Sequence, residues 1–379
     1  MRIPFSMPDI KAQDKKSVLD VLNSQWLTGG LVTPEFENKF AQYIGVKHAI
    51  AVSSCTSGLH LAMRALGIKS RNEVIVPTLT FVATANAPIF CGAKPVFADI
   101  DEDTFCISPK SIRSQITNLT RAIIVVHYGG TPCNMYDILK IAEDNDLCVV
   151  EDCAHSLGST YDDIQTGGLA DIGVFSFYPT KNLTTGEGGM VTTNNDYWAK
   201  HMRQMRSHCM TKEAKERSES GSWYYDVTDL GYNYRMSELQ AGLGISQLVK
   251  LDERNKKRAE IAKFYTSQLK EVNGIIPPSV PVNCVSSNHL YVIRVIEKEY
   301  GINRDELFKK LAEKGIECSV HYTPIHKLSY YRRRYDINED DYPITNGISH
   351  EIISLPLYSR MQKWQAEYVI ESIRESCAS

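Results

Sequence analysis

Lys181 stands where a buried strand is expected to end, which is unusual because most lysines lie on helix faces in water. It follows an apolar run from Ile172 to Tyr178 and precedes a turn with Gly186, Gly188 and Gly189, which leave room for a bound molecule. Burial removes water from the amine and disfavours its charged form. An uncharged amine can form a Schiff base with an aldehyde, although a purely structural lysine is the alternative.

A carboxylate and an imidazole, Asp152 and His155, follow another predicted strand, LCVVE. The carboxylate could simply cap the next turn, and a lone histidine is more often an ordinary core residue. The alternative is an anion that keeps a heterocyclic nitrogen protonated, which pyridoxal phosphate requires to withdraw electrons. His155 would then reach the phenolic oxygen of the ring.

The segment SSCTSG, residues 53–58, joins a predicted strand to a predicted helix. A helix N-terminus attracts phosphate, Thr56 and Ser57 add hydroxyl donors, and Gly58 allows close approach. Ser176, in the strand before Lys181, is placed to help hold the phosphate. A simple N-cap is the alternative reading of this segment. Together with the acid and the lysine, however, it offers partners for the phosphate, ring nitrogen and aldehyde carbon of pyridoxal phosphate.

The elements that position these residues alternate along the chain. Helix-like segments separate six short apolar runs. The apolar runs are HAIAVSS, EVIVPT, KPVFADID, RAIIVVHYGG, LCVVED and IGVFSFYPTK. Runs that are apolar throughout predict strands buried on both faces of a mostly parallel sheet, whose carboxyl ends collect ligands. Beyond residue 243 we expect one long charged helix, then a strand in SSNHLYVIRVI, a helix followed by a strand in RDELFKKLAEKGIECSVHY, and a final helix. The predicted domains are a large α/β domain over residues 1–249 and a smaller α+β domain over residues 250–379.

Composition excludes several classes of protein. The 379 residues carry a net charge of -3, which offers no field for nucleic acid or an acidic membrane surface. None of the 10 cysteines forms a C-x-x-C pair, so we expect buried thiols in a reducing compartment and no metal site. With no signal-peptide layout and no apolar run near ~18 residues, we expect a cytoplasmic protein with no membrane span.

The sequence resembles the sugar-nucleotide aminotransferases of the DegT/DnrJ/EryC/StrS family over essentially its whole length. The matching segments occur in order: NSQWLTGG, SSCTSGLHLA, TFVATANA, EDCAHSLGS, FSFYPTKNLTTGEGGMVTTN, LGYNYRMSELQAGLGISQL, SSNHLYVIRV, SVHYTPIH and ISLPLYS. The resemblance implies the type I fold of pyridoxal-phosphate-dependent transferases, the fold of aspartate aminotransferase. That α/β fold has a large domain with a mixed, mostly parallel sheet and a smaller α+β domain at the C-terminus.

The same resemblance implies roles for single residues. Lys181 would carry the cofactor covalently and act as the catalytic acid and base, Asp152 would pair with the pyridinium nitrogen, and Phe81 would stack on the ring. For Phe81 the alternative is an ordinary core position. The phosphate would be held by three hydroxyls and by one amide from a neighbouring subunit: Thr56, Ser57, Ser176 and Asn233. The implied assembly is a homodimer with both sites at the interface.

The implied activity is transamination, because family members that remove oxygen instead carry histidine where Lys181 stands. L-glutamate would donate the amine, and Arg235 would bind its carboxylate unless it forms a structural ion pair. The subgroup that the sequence resembles aminates UDP-4-keto-6-deoxy-N-acetyl-L-altrosamine in the biosynthesis of pseudaminic acid. There the sugar nucleotide would touch two segments of this chain: Gln25, Trp26, Leu27 and Thr28, and His321, Tyr322, Thr323, Pro324 and Ile325.

Phe5 departs from the family pattern, which has a substrate-contacting tyrosine at this position. Its missing hydroxyl removes a hydrogen bond of roughly 0.5–1.5 kcal/mol or indicates a different sugar. The main alternative substrate is GDP-4-keto-6-deoxymannose, as in perosamine synthesis. A non-catalytic pyridoxal-phosphate-binding regulator is an alternative of another class. A nicotinamide dehydrogenase lacks support, because the chain has no G-x-G-x-x-G fingerprint. The sequence leaves open UDP, GDP or dTDP, and amination at C3 or C4.

Overall fold

The computed structural model describes residues 2–211, 221 and 223–377. Its strands, in chain order, are β1 His48–Val52, β2 Glu73–Pro77, β3 Lys94–Ala98, β4 Thr120–Val126, β5 Cys148–Asp152, β6 Thr160–Tyr161, β7 Ile164–Gln165, β8 Ile172–Ser176, β9 Gly189–Thr193, β10 Ile275–Ile276, β11 Cys284–Val285, β12 Tyr291–Val295 and β13 Ile352–Leu355. Each of the six apolar runs that predicted strands in the first half of the chain forms one.

The main sheet has seven strands in the order β1-β9-β8-β5-β4-β2-β3. β9 runs antiparallel to both of its neighbours, and the other pairs are parallel. β4, β5 and β8 are buried along almost their whole length, which explains why their sequences are apolar throughout. The predicted mixed, mostly parallel sheet of a type I transferase is confirmed.

The helices, in chain order, are α1 Ala12–Ser24, α2 Val32–Ile44, α3 Cys55–Ala65, α4 Val82–Phe90, α5 Pro109–Gln115, α6 Met135–Asp144, α7 Asp196–Met205, α8 Glu238–Val249, α9 Leu251–Leu269, α10 Glu297–Tyr300, α11 Arg304–Glu313, α12 Ser329–Arg334, α13 Pro343–Ile348 and α14 Lys363–Ser376. Several begin at a polar residue whose side chain accepts a backbone N–H, as Ser54 does for α3 and Ser237 for α8. Local sequence therefore fixes where α3 begins, directly after the end of β1.

A second core surrounds the three-stranded sheet β10-β12-β13, against which α9, α11 and α14 pack. Two expectations for this half of the chain are wrong. The long charged helix is broken at Lys250, where the backbone leaves helical geometry (φ -110°, ψ 11°), so α8 and α9 are separate. The strand expected after α11 is absent, because Ile316 and Ser319 each form a single bridge to a different partner. The division into domains at residues 249 and 250 stays a prediction.

Among the residues that the structure describes, no helix is both long enough and apolar enough to cross a membrane.

Candidate active site

The carboxyl ends of β1, β5 and β8 meet at one edge of the main sheet. Val52 at the end of β1 lies opposite Gly189, and Gly189 lies opposite Ser176 at the end of β8. On the other side of β8, Asp152 at the end of β5 lies opposite Val174. This register brings the start of α3, the carboxylate and the loop that carries the lysine to the same edge, as the parallel order of the strands predicted.

Asp152 is buried, with 5% of its surface exposed. Its Oδ2 accepts a hydrogen bond from the Thr84 hydroxyl at 2.8 Å, and its Oδ1 accepts one from the Ala154 N–H at 3.1 Å. Burial raises the pKa of the carboxyl, and the hydrogen bonds from Thr84 and Ala154 and the nearby amine of Lys181 oppose that rise. The site therefore contains a buried carboxylate that hydrogen bonds from Thr84 and Ala154 hold in place.

The adjacent carboxylate, Glu151, points to the opposite face of β5, as alternation along a strand requires. It is fully buried, and its oxygens accept hydrogen bonds from His127 Nε2 at 2.9 Å and from the N–H groups of Gly167, Leu169 and Ala170 at 2.8–3.0 Å. Its role is to anchor the loop before β8, so only the second acid of the EDC sequence faces the site.

Lys181 lies at the first turn after β8, with its N–H bonded to the carbonyl of Tyr178 at 2.9 Å. Burial lowers the pKa of its amine to about 8, although Cys55 and Asp152 act in the opposite direction. With this pKa, roughly a tenth of the amine is uncharged at pH 7 and roughly half at pH 8. The uncharged form is the protonation state that nucleophilic attack on an aldehyde requires.

His289, in the loop before β12, is a residue beside Lys181 that sequence reasoning missed. Its Nε2 lies 3.5 Å from Nζ of Lys181, at the long limit for a hydrogen bond, and 6% of its surface is exposed. Burial, and then the charge of Lys181, hold the pKa of the imidazole well below its usual range. The segment SSNHLYVIRV had been matched as a whole, and only the fold brings this histidine to a lysine 108 positions away.

One wall of the site consists of His155, Tyr322 and Phe81. His155 accepts the Gly129 N–H at Nδ1 (3.3 Å), so its Nε2 carries the hydrogen that it donates to the Tyr322 hydroxyl at 3.0 Å. Phe81 contacts Tyr322 at 5.9 Å between ring centroids and is 55% exposed, which rules out an ordinary core position. An exposed aromatic ring at this place is available to a flat ligand.

The start of α3 combines an N-cap with free donors. Ser57 donates its N–H to Ser54 Oγ at 3.1 Å, and its own Oγ accepts the Ser54 N–H at 3.0 Å, so its bonds are those of a capping box. The N–H groups of Cys55 and Thr56, in the first turn, have no acceptor within the helix. The Thr56 hydroxyl and Ser176 are half-buried beside them. The cap and an anion site therefore coexist.

Two glycines bring α3 against the sheet. A Cβ on Gly58 would lie 2.7 Å from Val174 Cγ1, so this glycine is required for close packing of the helix on β8 rather than for approach to a phosphate. A Cβ on Gly189 would lie 2.7 Å from the Ser54 carbonyl carbon. Gly189 thus allows the strand after the lysine loop to touch the start of the helix.

Asn233 and Arg235 flank Tyr234, whose carbonyl accepts the Ser53 N–H at 2.8 Å. This contact holds the segment beside the start of α3 within one chain. The side chain of Asn233 is exposed. Arg235 is half-buried, and its expected contact with the carboxylate of the amino donor stays a prediction, as does the structural alternative.

The segment from Gln25 to Thr28 is exposed in the single chain. The carbonyl of Leu27 accepts the N–H of Glu238 at the start of α8 at 3.0 Å. Trp26 and Leu27 are each 45% exposed. The expected contact of these four residues, Gln25, Trp26, Leu27 and Thr28, with the sugar nucleotide stays a prediction.

Phe5 reaches the site through His321, on which its ring stacks at 5.4 Å and 29°. His321 Nδ1 lies 2.8 Å from the Ser354 hydroxyl. Burial, and then the charge of Lys181, lower the pKa of His321 to about 4. A change at position 5 is thus one ring away from the lysine environment.

In the rest of the second predicted substrate segment, Thr323 is exposed. Pro324 and Ile325 are buried, and Ile325 packs in the main core with its N–H bonded to Thr78 at 2.8 Å. The structure brings His321 and Tyr322 to the site but gives Ile325 no surface there.

These groups fit pyridoxal phosphate. A buried carboxylate suits a protonated ring nitrogen, an amine with a lowered pKa suits an aldehyde, and the free N–H groups of α3 suit a phosphate. Each of the three demands is met by a different element, and all three elements end at the same edge of the sheet.

The chain matches the sequence profile of the DegT/DnrJ/EryC1/StrS aminotransferase family over residues 8–374. It is 42% identical to the spore coat polysaccharide biosynthesis protein SpsC of Bacillus subtilis (strain 168) over 375 residues, which cover 98% of this chain and 96% of SpsC.

Solved structures are similar over the same length. PseC of Helicobacter pylori, an aminotransferase involved in the biosynthesis of pseudoaminic acid, superimposes with a TM-score of 0.93 at 33% identity, over 100% of this chain and 99% of PseC. The putative sugar aminotransferase Spr1654 of Streptococcus pneumoniae, in its PLP-form, gives a TM-score of 0.92 at 30% identity, over 99% of this chain and 98% of Spr1654.

Proposed function

The chain belongs to the DegT/DnrJ/EryC1/StrS aminotransferase family and is a pyridoxal-phosphate-dependent sugar aminotransferase, and we propose that it moves the amino group of L-glutamate to the 4-keto carbon of a nucleotide-linked 4-keto-6-deoxy sugar. The observation that carries this proposal is the buried Lys181 amine, with its pKa near 8, at the sheet edge that also holds Asp152. A lysine at this position supports transamination over the loss of oxygen.

Our first choice of substrate is UDP-4-keto-6-deoxy-N-acetyl-L-altrosamine, on the way to pseudaminic acid. Its support is the sequence resemblance to that subgroup and the full-length similarity to PseC. GDP-4-keto-6-deoxymannose is the alternative, because Phe5, stacked on His321, offers no hydroxyl to a sugar.

The chain's own groups divide the work. When bound, the cofactor withdraws electrons from the carbon that bears the transferred amine. Asp152 holds the negative charge that keeps the ring nitrogen protonated, and Nζ of Lys181 takes up and returns the proton as general base and acid. Phe81 and the start of α3 bind and orient the cofactor, and Arg235 binds the carboxylate of the amino donor.

We further propose that the active unit is a cytoplasmic homodimer in which a second copy supplies Asn233 and the segment from Gln25 to Thr28. Two observations support this. These residues are exposed in the single chain, and apolar side chains beside the segment are exposed as well, Leu31 to 70%. A second copy would cover them and place polar groups next to the phosphate-binding end of α3.

The experiment that tests the function is a glutamate-driven assay against UDP-, GDP- and dTDP-linked 4-keto-6-deoxy sugars, read by mass spectrometry. With ¹⁵N-labelled glutamate, the product sugar should gain the labelled nitrogen. Product from the UDP-linked altrosamine precursor supports our first choice, and product only from the GDP-linked sugar supports the alternative. Cofactor binding without turnover of any sugar would favour a regulator and contradict the proposal.

Thr84→Val should shift the acidic limb of the pH profile of kcat/KM to higher pH by about one unit. The Thr84 hydroxyl stabilises the ionised form of Asp152, so its loss raises the pKa of that carboxyl further. The active form carries the anion, which exists above this pKa and is lost as the pH falls through it. Thr80→Val is the matched control. It removes a hydroxyl that lies 2.8 Å from the Thr84 hydroxyl but leaves the Thr84 hydrogen bond to Asp152, so it should shift the limb less. Equal profiles for Thr84→Val and the wild type would contradict this role.

A further inference from the structure

A chain of side-chain amides runs from helix α9 to the active-site lysine. Asn255 on α9 donates from Nδ2 to the Leu157 carbonyl at 3.0 Å, which leaves its Oδ1 as an acceptor. Asn182 donates from Nδ2 to that Oδ1 at 2.8 Å and to the Ser287 carbonyl at 2.9 Å. Both amides are thus oriented by backbone carbonyls, which can only accept.

This orientation determines the tautomer of His289. Both hydrogens of Asn182 Nδ2 are used, so its Oδ1 faces His289 Nδ1 at 3.2 Å and requires a hydrogen there. The imidazole is buried, and its pKa is held well below the usual range, so it is neutral and carries one hydrogen. Nε2 therefore presents its lone pair to Nζ of Lys181.

We propose that His289 is a positioning residue for Lys181, fixed by the Asn255–Asn182 amide chain as a hydrogen-bond acceptor at Nε2. An amine that donates one hydrogen to Nε2 keeps its own lone pair free to take up a proton. In the opposite tautomer, an Nε2–H group would donate to that lone pair and block it. The inference rests on the proposed role of Lys181 and adds a group that controls which way its nitrogen faces.

The other titratable groups around the amine come from separate elements. Cys55 lies at the start of α3, Asp152 at the end of β5, His155 in the loop that follows and His321 near the C-terminal sheet. Burial raises the pKa of the Cys55 thiol and lowers that of both imidazoles, so these three groups are neutral near pH 7. In the part of the chain that the structure describes, none of these four groups forms a hydrogen bond with Nζ, whereas Nε2 of His289 lies 3.5 Å from it.

The test is the pKa of Lys181 in the full-length protein after removal of the cofactor, measured by competitive acetylation across pH with quantification of the Lys181 peptide. The wild-type midpoint should lie at about 8. His289→Leu should lower it by roughly one unit, because the lone pair stabilises the ammonium form. The amide oxygen of His289→Gln can accept the same hydrogen, so the midpoint of this variant should return most of the way to the wild-type value.

Asn182→Leu should lower the midpoint by a smaller amount, because the imidazole then adopts either tautomer. His60→Leu removes a buried imidazole that contacts Tyr234 instead of the lysine, and should leave the midpoint unchanged. Unfolding temperatures compare the folds of all four variants. A wild-type midpoint in His289→Leu, or a Gln variant as low as the Leu variant at equal unfolding temperature, would overturn the proposal.

In the holoenzyme, the kcat of His289→Leu should fall roughly 10-fold to 100-fold with little change in KM, because a misdirected amine slows proton transfer and not binding. The acetylation experiment uses neither cofactor nor sugar. Failure of the proposed role of His289 and the Asn255–Asn182 amide chain can therefore be distinguished from failure of the proposed function.

Discussion

Lys181→Ala is expected to lower kcat at least roughly 10³-fold and to abolish the visible absorbance of the purified protein. On the proposed assignment of Lys181, the variant loses two functions together: the covalent attachment of the cofactor and the group that moves the proton. The amine that does both is the buried one whose pKa lies near 8, beside Asp152 and His289. Spectra and steady-state rates of the two proteins measure the effect.

Lys140→Ala is the matched control. Lys140 is exposed on α6 and pairs with Asp144 at 2.6 Å, on the helix before β5. Surface pairs of this kind contribute little to stability, so the variant should keep its absorbance and rate. A Lys181→Ala enzyme that still turns over within tenfold of the wild type would contradict the assignment of the lysine.

Asp152→Asn should lower kcat by roughly 10²-fold to 10³-fold while the protein stays folded. Asparagine keeps the shape, and its single amide oxygen can still accept one of the two hydrogen bonds, from Thr84 or from Ala154, but it carries no charge to hold a proton on the ring nitrogen. The loss is therefore electrostatic. Rates measured across pH, together with the bound cofactor content, separate this effect from loss of binding.

Asp171→Asn provides the comparison for a partly buried acid beside the same sheet, directly before β8. Asp171 accepts the Val149 N–H at 2.8 Å, at the opposite end of β5 from Asp152. An asparagine oxygen can replace that bond, so the rate should be close to that of the wild type. If both variants lost activity equally, the effect would reflect stability of the sheet and not the charge at the ring nitrogen.

The residues whose position in the fold could be predicted from the sequence are those with a local sequence pattern. Asp152 and Lys181 each follow an apolar run, and Ser54 and Ser57 mark a helix start, so adjacent residues carry the signal. Because the carboxyl ends of parallel strands share one edge, strand prediction alone was enough to expect these groups together.

The groups that the sequence missed depend on contacts between distant segments. His289 meets Lys181 across 108 positions, and its tautomer depends on Asn255 in a third segment. The role of Gly58 was misjudged because its neighbour, Val174, comes from a strand far along the chain. Likewise, nothing in the charged pattern around Lys250 distinguishes one long helix from two that pack on different bodies.

The central claim is that Lys181 carries pyridoxal phosphate. The most direct measurement is borohydride reduction of the purified protein, followed by proteolysis and mass spectrometry of every lysine peptide. We predict a phosphopyridoxyl group on the peptide that contains Lys181 and on no other. A modified peptide elsewhere, or none from protein saturated with the cofactor, would contradict the account.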